Sequence, residues 1–194
     1  MPELPEAETI RRVLEPQIKG LTITAVTVNR PEVIAHPTAE EFCQTLTGQT
    51  IDAMTRRGKF LSVLLDSGAY FVLHLRMTGC LLFTPAGFPA EKHTHIVFRL
   101  SSGTELRFSD TRRFGRFRLF RKGESDAYSG MDKLGLKPFD NGLTADYLQQ
   151  HFGKRKKAIM ECLLDQSVIA GIGNTYSDEI LFASGIHPYG PPRG

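Results

Sequence analysis

Hydrophobic positions recur with a helical period at the start of the chain. In residues 5–19 they fall on one face of a helix, which Gly20 would end. Residues 23–28 alternate apolar and threonine side chains and predict a strand. The capping-box sequence Thr38-Ala39-Glu40-Glu41 predicts a second, short helix that ends near residue 46. The chain therefore begins with two predicted helices and one strand between them.

From residue 49 to about residue 120, the hydrophobic pattern takes the period of a strand. Turn sequences of the kind found in hairpins interrupt it at Asp66-Ser67-Gly68 and Ser102-Gly103. Many short strands separated by turns predict a sandwich of antiparallel sheets, with the first helix packed beside it. The predicted strands are residues 50–56, 59–66, 69–76, 79–84, 94–101, 104–109 and 115–121.

The pattern changes again after residue 122. Residues 123–143 are rich in Gly, Asp and Ser without strand alternation, which is typical of a linker. Thr144 is a predicted cap for a helix over residues 145–152, and helical spacing predicts a helix at residues 156–166. A third predicted helix, at residues 175–184, is ended by Gly185. The predicted fold is α+β. It consists of a β-sandwich domain flanked by helices over residues 1–122, the linker, and a helical domain over residues 144–194.

Composition excludes several classes of protein and favours none. The 194 residues are 41% apolar and 23% charged, with a net charge of +3, so the total charge does not demand nucleic acid. The three cysteines, Cys43, Cys80 and Cys162, are widely spaced, so we expect free thiols and no metal site. No signal-type stretch and no run of about 18 apolar residues is present. We therefore expect a soluble, intracellular protein with no membrane partner.

The first three residues carry candidate chemistry. Met1 ahead of the small residue Pro2 is normally removed, which would leave a secondary amine one residue from the Glu3 carboxylate. A free α-amine titrates near pH ~8 and forms Schiff bases with carbonyl carbons. A neighbouring carboxyl can transfer the protons that this step needs. By themselves, however, these residues are explained better by an ordinary helix start.

Cationic and aromatic residues are concentrated near residues 107–122. Residues 116–121 fit a half-buried strand, with Phe and Leu inward and Arg outward. In contrast, Arg112-Arg113-Phe114-Gly115 has the sequence of a finger that could wedge into a base stack while guanidinium groups bind an exposed base. The eight basic residues of this region are Arg99, Arg107, Arg112, Arg113, Arg116, Arg118, Arg121 and Lys122.

Two further segments have the residue types of phosphate contacts. The four cations of Lys154-Arg155-Lys156-Lys157 precede a predicted helix, where they oppose its dipole, which favours a role in phosphate binding. Gly171-Ile172-Gly173-Asn174 is a Gly-rich turn before a helix, whose backbone N–H groups bind phosphate well. Asn174 could cap that helix or contact phosphate, although a structural turn is the usual explanation of such a sequence.

Together these segments resemble the formamidopyrimidine-DNA glycosylases, bacterial enzymes that excise oxidised purines. The sister group, the endonuclease VIII-like enzymes, prefers oxidised pyrimidines and usually begins Pro-Glu-Gly-Pro. Leu4, with Met77, Arg112 and Phe114, points to the purine branch. The matching segments follow the family's order over nearly the whole chain: residues 2–6, 57–59, 74–79, 92–93, 110–115, 171–174 and 185–188.

The resemblance implies catalytic roles at four positions. Pro2 would attack C1′ of the damaged nucleoside and hold the sugar as a Schiff base. Glu3 would transfer protons, with Glu6 supporting the site. Lys59 would contact phosphate and donate a proton in β-elimination.

The resemblance also implies the residues that bind DNA. The damaged nucleotide must leave the stack to be reached. Met77, Arg112 and Phe114 would fill the gap that the flipped nucleotide leaves in the base stack. Arg112 would pair with the orphaned cytosine. The implied phosphate contacts are His74, His93, Arg155, Asn174 and Tyr176.

The implied fold is a two-helix, β-sandwich domain joined to a helix–two-turn–helix domain, with damaged double-stranded DNA as the partner. We expect a monomer in the bacterial cytoplasm, associated with the nucleoid. The chain departs from the family at Thr111, where Pro is common, and after Pro188, where family members continue into further helices and a four-cysteine zinc finger. We therefore expect no zinc in this chain and a truncated helical domain.

The predicted function is base-excision repair, with removal of 8-oxoguanine and formamidopyrimidines and lyase cleavage of the strand through Pro2. Impaired activity is an expectation from the missing finger, and survival of δ-elimination is open. Three alternatives remain: a non-catalytic remnant that binds damaged DNA, an endonuclease VIII-like oxidised-pyrimidine glycosylase, and a fragment that does not fold stably alone.

Overall fold

The computed structural model describes residues 2–192; Met1, whose removal is expected, and residues 193 and 194 lie outside the described residues. The chain forms two compact units. The first comprises the chain up to Arg56 together with Phe60–Ser129. The second comprises Arg57–Lys59 and the chain from Gly130 onward. Strands dominate the first unit and helices the second, which confirms the α+β prediction.

The first unit contains two β-sheets. One has four antiparallel strands, and the other has five, of which the short edge strand runs parallel to its neighbour. In spatial order, the four-stranded sheet contains β1 (Ile23–Val28), β7 (Thr94–Leu100), β8 (Thr104–Asp110) and β6 (Gly79–Pro85). The five-stranded sheet contains β2 (Ile34–His36), β9 (Arg116–Phe120), β5 (Tyr70–His74), β4 (Phe60–Leu65) and β3 (Ile51–Arg57).

The strand predictions are confirmed to within two residues at each end, apart from β2. This strand of three residues is too short for an alternation of side chains to be visible, and it forms because β9 offers an edge to pair with. The alternating burial of β9 confirms that its residues form a half-buried strand.

Phenylalanine rings fill the space between the two sheets. Phe71 and Phe117 come from the five-stranded sheet and Phe98 from the four-stranded one, and each is at most 2% exposed. Their ring centroids lie 5.4 to 6.2 Å apart, a separation at which aromatic rings attract one another. Phe42 packs on all three from a helix of residues 39–46. This aromatic cluster makes the two sheets one sandwich.

Two helices of the first unit, α1 (Leu4–Ile18) and α2 (Ala39–Leu46), form where the sequence predicts them. Polar contacts tie α1 to β3. Glu8 accepts from Arg56 Nε at 2.8 Å, and Glu15 accepts from the backbone N–H of Met54 at 3.3 Å. These contacts fix α1, and therefore the residues at its start, against the sheet.

The second unit contains α3 (Ala145–Phe152), α4 (Ile159–Leu163) and α5 (Asn174–Ala183). The prediction of a helix over residues 156–166 is wrong in length. Ala158 is extended, with ψ 147°, and the Asp165 carboxylate accepts the N–H of Ser167 and closes a turn in place of helix. Phe152, Cys162 and Leu181 pack together in the core of this unit.

No helix in the described part of the chain is long and apolar enough to cross a membrane. Across residues 2–192, no group of three or more His, Cys, Asp or Glu side chains is placed to hold a metal ion.

The Glu8 ion-pair network makes stability depend on pH. Hydrogen bonds from Arg11 first, and from Arg56 and Arg12, hold the pKa of Glu8 well below its usual value, against the opposing effect of burial. A lowered pKa contributes stability that is complete above the unfolded value of 4.5 and is lost as the pH falls. Glu8→Gln should therefore lower the free energy of unfolding by about 1 kcal/mol at neutral pH.

Urea unfolding at neutral and acidic pH measures this effect. The difference in stability between the variant and the parent should shrink progressively as the pH falls below the usual pKa of glutamate, because the contribution is lost fully only at the lowered pKa of the folded state. Glu32→Gln is the matched control, because Glu32 is exposed and lies outside this network. A constant difference at all pH values would contradict the proposed cause.

Candidate catalytic and nucleic-acid-binding residues

Pro2, Glu3 and Glu6 lie together at the N-terminus of α1. Glu3 is the N-cap residue and is only 1% exposed, and Pro2 is half-buried. The Glu6 carboxylate accepts the N–H of Glu3 at 2.9 Å in a capping box. The positive end of the helix favours carboxylates at this position. The fold thus keeps a buried carboxylate next to the residue whose nitrogen would become the reactive amine.

Two loops of the first unit meet at their tips, and we call them the loop pair: residues 75–78, between β5 and β6, and residues 111–115, between β8 and β9. Arg112 Nη1 donates to Met77 Sδ at 3.2 Å, so two of the three predicted gap-filling residues touch. Met77 is 46% and Phe114 50% exposed. Both apolar side chains are therefore accessible at the surface of the loop pair.

Asp110 holds the loop pair together. Its carboxylate is 1% exposed, accepts from the Thr78 hydroxyl in one loop and accepts the N–H groups of Arg112 at 3.1 Å and Gly115 at 2.8 Å in the other. Burial raises the pKa of Asp110, but the hydrogen bonds from Thr78, Gly115 and Arg112 outweigh it and lower the pKa overall. This role of Asp110 is not among the roles predicted from the sequence, although an Asp at a strand end before a turn is a signal for it.

The loop pair is also under backbone constraint. Arg76 and Arg113 have φ of 58° and 59°, a left-handed conformation that costs a residue with a side chain about 1 kcal/mol or more. A Cβ at Gly115 would lie 2.4 Å from the ring of Phe108, so only glycine fits there. Strain of this kind persists where the surroundings determine the conformation, and it is typical of functional loops. Thr111, the departure from the family pattern, is exposed and lies among these contacts without disrupting them.

Arg107 does not belong to the basic surface that the sequence suggests. Its side chain is 5% exposed and pairs with Glu105. Its guanidinium also donates to the carbonyl groups of Phe88 at 2.6 Å and Pro89 at 3.1 Å. Arg107 therefore anchors the loop that precedes His93.

Two of the predicted phosphate contacts lie in the first unit. The His74 ring packs edge-on against Phe60, and its Nδ1 accepts the N–H of Arg76 at 3.0 Å, so the neutral ring carries its proton on Nε2. His93 lines a surface pocket together with three cations, Arg30, Lys92 and Arg113, and one carboxylate, Glu91. The excess of positive charge around His93 favours an anion in that pocket.

In the second unit, Lys59 lies on a turn that is held in place by hydrogen bonds of Arg57. Arg57 Nη2 donates to the carbonyl groups of Leu134 at 2.9 Å and Gly135 at 2.8 Å. Gly58 has φ of 58°, and a Cβ there would approach a Leu134 methyl to 3.2 Å. The turn that carries Lys59 therefore depends on Arg57 and on glycine at residue 58.

The Gly-rich turn before α5 is organised by Gln166, another residue whose role is not among those predicted from the sequence. Its Oε1 accepts the N–H of Gly171 at 2.9 Å, and its Nε2 donates to the carbonyl of Ile172 at 2.7 Å. The prediction that Asn174 could cap the helix is wrong, because Gly173 is the N-cap and Asn174 is the exposed first helical residue. Exposure leaves its amide accessible for a contact with a ligand.

The Lys59 turn and the Gly-rich turn share one backbone support. Gly135 N–H donates to the carbonyl of Gln166 at 2.8 Å, and Ala170 N–H donates to that of Leu136 at 2.8 Å. Since Arg57 binds the same stretch of residues 134–135, both turns are attached to it. Tyr176 is half-buried against the core of this unit.

The basic cluster at residues 154–157 divides into two kinds of side chain. Arg155 pairs with Asp165 at 2.6 Å and lies 5.8 Å from the centre of the Phe152 ring. This pairing raises the pKa of Arg155, and it holds the end of α3 against the turn after α4. Lys154, Lys156 and Lys157 are exposed. The lysines are therefore more available to a phosphate than Arg155.

Two family models match the chain. The formamidopyrimidine-DNA glycosylase N-terminal domain matches residues 1–117, and the formamidopyrimidine-DNA glycosylase H2TH domain matches residues 134–193. The formamidopyrimidine-DNA glycosylase of Moorella thermoacetica is 48% identical over 191 residues, which are 98% of this chain and 70% of that protein. That of Bacillus subtilis is 43% identical over 189 residues, covering 97% of this chain and 68% of the relative.

Solved structures of proteins from the same family are similar to this chain in fold. The Lactococcus lactis protein in complex with DNA containing an abasic site matches 98% of this chain and 69% of its own, with a TM-score of 0.91 and 33% identity. Its complex with DNA containing Fapy-dG gives the same TM-score and identity over 98% of this chain and 71% of the neighbour. The fold and site define a β-sandwich protein with a helix–two-turn–helix domain, of the kind found in these DNA complexes. The chain belongs to the formamidopyrimidine-DNA glycosylase family, which confirms the resemblance.

Asp110→Asn tests the anchor of the loop pair. An amide nitrogen in place of one carboxylate oxygen cannot accept hydrogen bonds, so the free energy of unfolding should fall by about 1–3 kcal/mol. Amide hydrogen exchange at Arg112 and Gly115 should accelerate more than elsewhere. Asp52→Asn, at an exposed position on β3, is the control. Unchanged exchange at those two amides would contradict the assigned role.

Proposed function

We propose that this chain is a base-excision-repair DNA glycosylase that removes oxidised purines and then cleaves the strand as an abasic-site lyase. The observation that carries the proposal is the buried Glu3 carboxylate beside Pro2 at the start of α1. The names of the relatives, and the neighbours solved with DNA that contains Fapy-dG or an abasic site, support it.

The loop pair fits the task of stabilising a flipped nucleotide. Extruding the damaged base leaves a gap in the stack and an unpaired partner base, which costs a few kcal/mol. Met77 and Phe114 have the exposed apolar surface to occupy that gap. The Arg112 guanidinium presents a fork of donors that suits the orphaned cytosine. Asp110 holds these side chains on a fixed backbone, so less entropy is lost on binding.

The chemistry follows from a secondary amine. The unprotonated nitrogen of Pro2 attacks C1′, the bond from C1′ to the base breaks, and the base leaves with a proton. Ring opening gives an iminium ion that joins Pro2 to the sugar. Glu3 transfers protons in these steps and Glu6 supports it. The iminium ion withdraws electrons from the sugar and makes the C2′ proton acidic. Loss of that proton expels the 3′ phosphate. In this β-elimination Lys59 acts as the proton donor.

Phosphate binding is assigned to residues of both units. His74, His93, Asn174, Tyr176 and Arg155 take this role in the proposal, with the exposed lysines at residues 154, 156 and 157 adding to the positive charge. Each phosphate neutralised by a cation makes the affinity more dependent on salt. We further propose that the chain acts as a monomer in the bacterial cytoplasm, where the nucleoid supplies its substrate.

Oxidised pyrimidines are a second candidate substrate class. The Lactococcus lactis relative has been solved in complex with DNA that contains an oxidised pyrimidine, at a TM-score of 0.92 and 33% identity. Relative rates on purine and pyrimidine lesions in one duplex context would rank the two classes.

Borohydride trapping tests the nucleophile. The chain with Pro2 verified as its first residue should form a covalent adduct with a duplex containing 8-oxoguanine opposite cytosine, because borohydride reduces the iminium ion to a stable amine. A chain with one extra residue before Pro2 is the matched control, since its nitrogen is then an amide and cannot attack. No adduct with either this duplex or a preformed abasic duplex would refute the proposal.

Glu3→Gln separates base removal from strand cleavage. The amide cannot exchange a proton, so excision of 8-oxoguanine should slow by about 100-fold or more. Trapping on a preformed abasic duplex should persist, because the amine is intact and no base needs to leave. Single-turnover rates on both duplexes measure the split. An equal loss on both would mean that Glu3 acts by holding the helix start.

A further inference from the structure

Met77 combines exposure with an unusual partner. It is 46% exposed, whereas Met54 is 1% exposed and Met131 and Met160 are half-buried, so within residues 2–192 it is the one exposed methionine. Its sulfur accepts a hydrogen bond from Arg112 Nη1 at 3.2 Å. The thioether that lies most open to solvent is therefore the one that touches the guanidinium assigned to the orphaned base.

We propose that Met77 is an oxidative modification site, at which a peroxide converts the thioether to a sulfoxide that holds Arg112 and weakens binding to lesion DNA. The inference rests on the proposed function of the loop pair. It adds regulation of DNA binding at the same site by oxidants.

The reaction needs no group beyond the peroxide. A lone pair of the Met77 sulfur attacks one oxygen of hydrogen peroxide, the O–O bond breaks, and the second oxygen leaves as water after proton transfer. The sulfur is oxidised by two electrons and the peroxide is reduced by two. Methionine sulfoxide is reversible by dedicated reductases, so the modification can be removed.

The sulfoxide changes the contact between residue 77 and Arg112. A thioether sulfur is a weak acceptor, whereas a sulfoxide oxygen is a polar one, and a bond to it from a charged guanidinium is charge-assisted. Arg112 would have to break that bond to pair with a base. Inserting the polar group into a base stack adds a desolvation cost. Both effects lower the affinity for a flipped-out lesion.

Burial slows the reaction of this chain's thiols with peroxide. Only a thiolate reacts quickly, and burial raises the pKa of each of Cys43, Cys80 and Cys162. For the exposed Cys80, the charge of Glu91 raises the pKa further. A thioether has no proton to lose, so the reactivity of Met77 does not depend on such a shift. Oxidation of a thiol is separated from oxidation of Met77 by its reversal with a thiol reductant.

The test treats the 194-residue chain with hydrogen peroxide, then with a thiol reductant that reverses cysteine sulfenates and disulfides but not sulfoxide. Peptide mass spectrometry measures oxidation at each methionine, and fluorescence anisotropy measures the Kd for an abasic-site duplex. The Kd should rise about tenfold in step with oxidation at Met77. Methionine sulfoxide reductase should restore it.

Two variants localise the effect. Met77→Leu should keep its own untreated Kd after peroxide, whatever that value is, whereas Cys80→Ser should respond as the parent does. Faster oxidation of Met131 or Met160, full oxidation of Met77 without a change in Kd, or an equal response in Met77→Leu would each overturn the inference. If the untreated chain fails to bind, the proposed function itself is wrong, which is a different result from binding that peroxide leaves unchanged.

Discussion

The buried carboxylate of Asp110 is the interaction on which the candidate site depends most. It lies at the end of β8, out of contact with water, and such a group is tolerated only when its oxygens are saturated with hydrogen bonds. The donors come from Thr78 in one loop and from the backbone of Arg112 and Gly115 in the other. Satisfying one charge therefore ties the two loops to each other and to the end of β8.

The same arrangement recurs at the other candidate positions. Arg107 binds the carbonyl groups ahead of His93, Arg57 binds those beneath the Lys59 turn, and Gln166 binds the Gly-rich turn. In each case a polar side chain that is not solvent-exposed pairs with backbone groups and leaves a neighbouring residue exposed or half-exposed. The polar residues at these candidate positions are therefore of two kinds: some hold the loops in place, and others lie on the loops where they are accessible.

Much of the fold was predictable because its signals are local. Alternation located eight of the nine strands of the described chain, and the capping sequences at Thr38 and Thr144 began helices where expected. The prediction for residues 156–166 failed because helical spacing does not show that Asp165 closes a turn. The expectation that Asn174 could cap α5 failed because the glycine before it took that position.

The sequence by itself determined the family, the strand and helix pattern, and the pairing of Pro2 with Glu3, because these depend on neighbouring residues and on short motifs. Only the tertiary structure decided which polar side chains are anchors and which are presented to solvent. Arg107 and Arg112 are both arginines of one basic stretch, yet Arg107 is buried beneath the loop that precedes His93, whereas Arg112 is exposed in the loop between β8 and β9. Their roles differ because burial and hydrogen-bond partners depend on which strands pack nearby, and residue type does not record that.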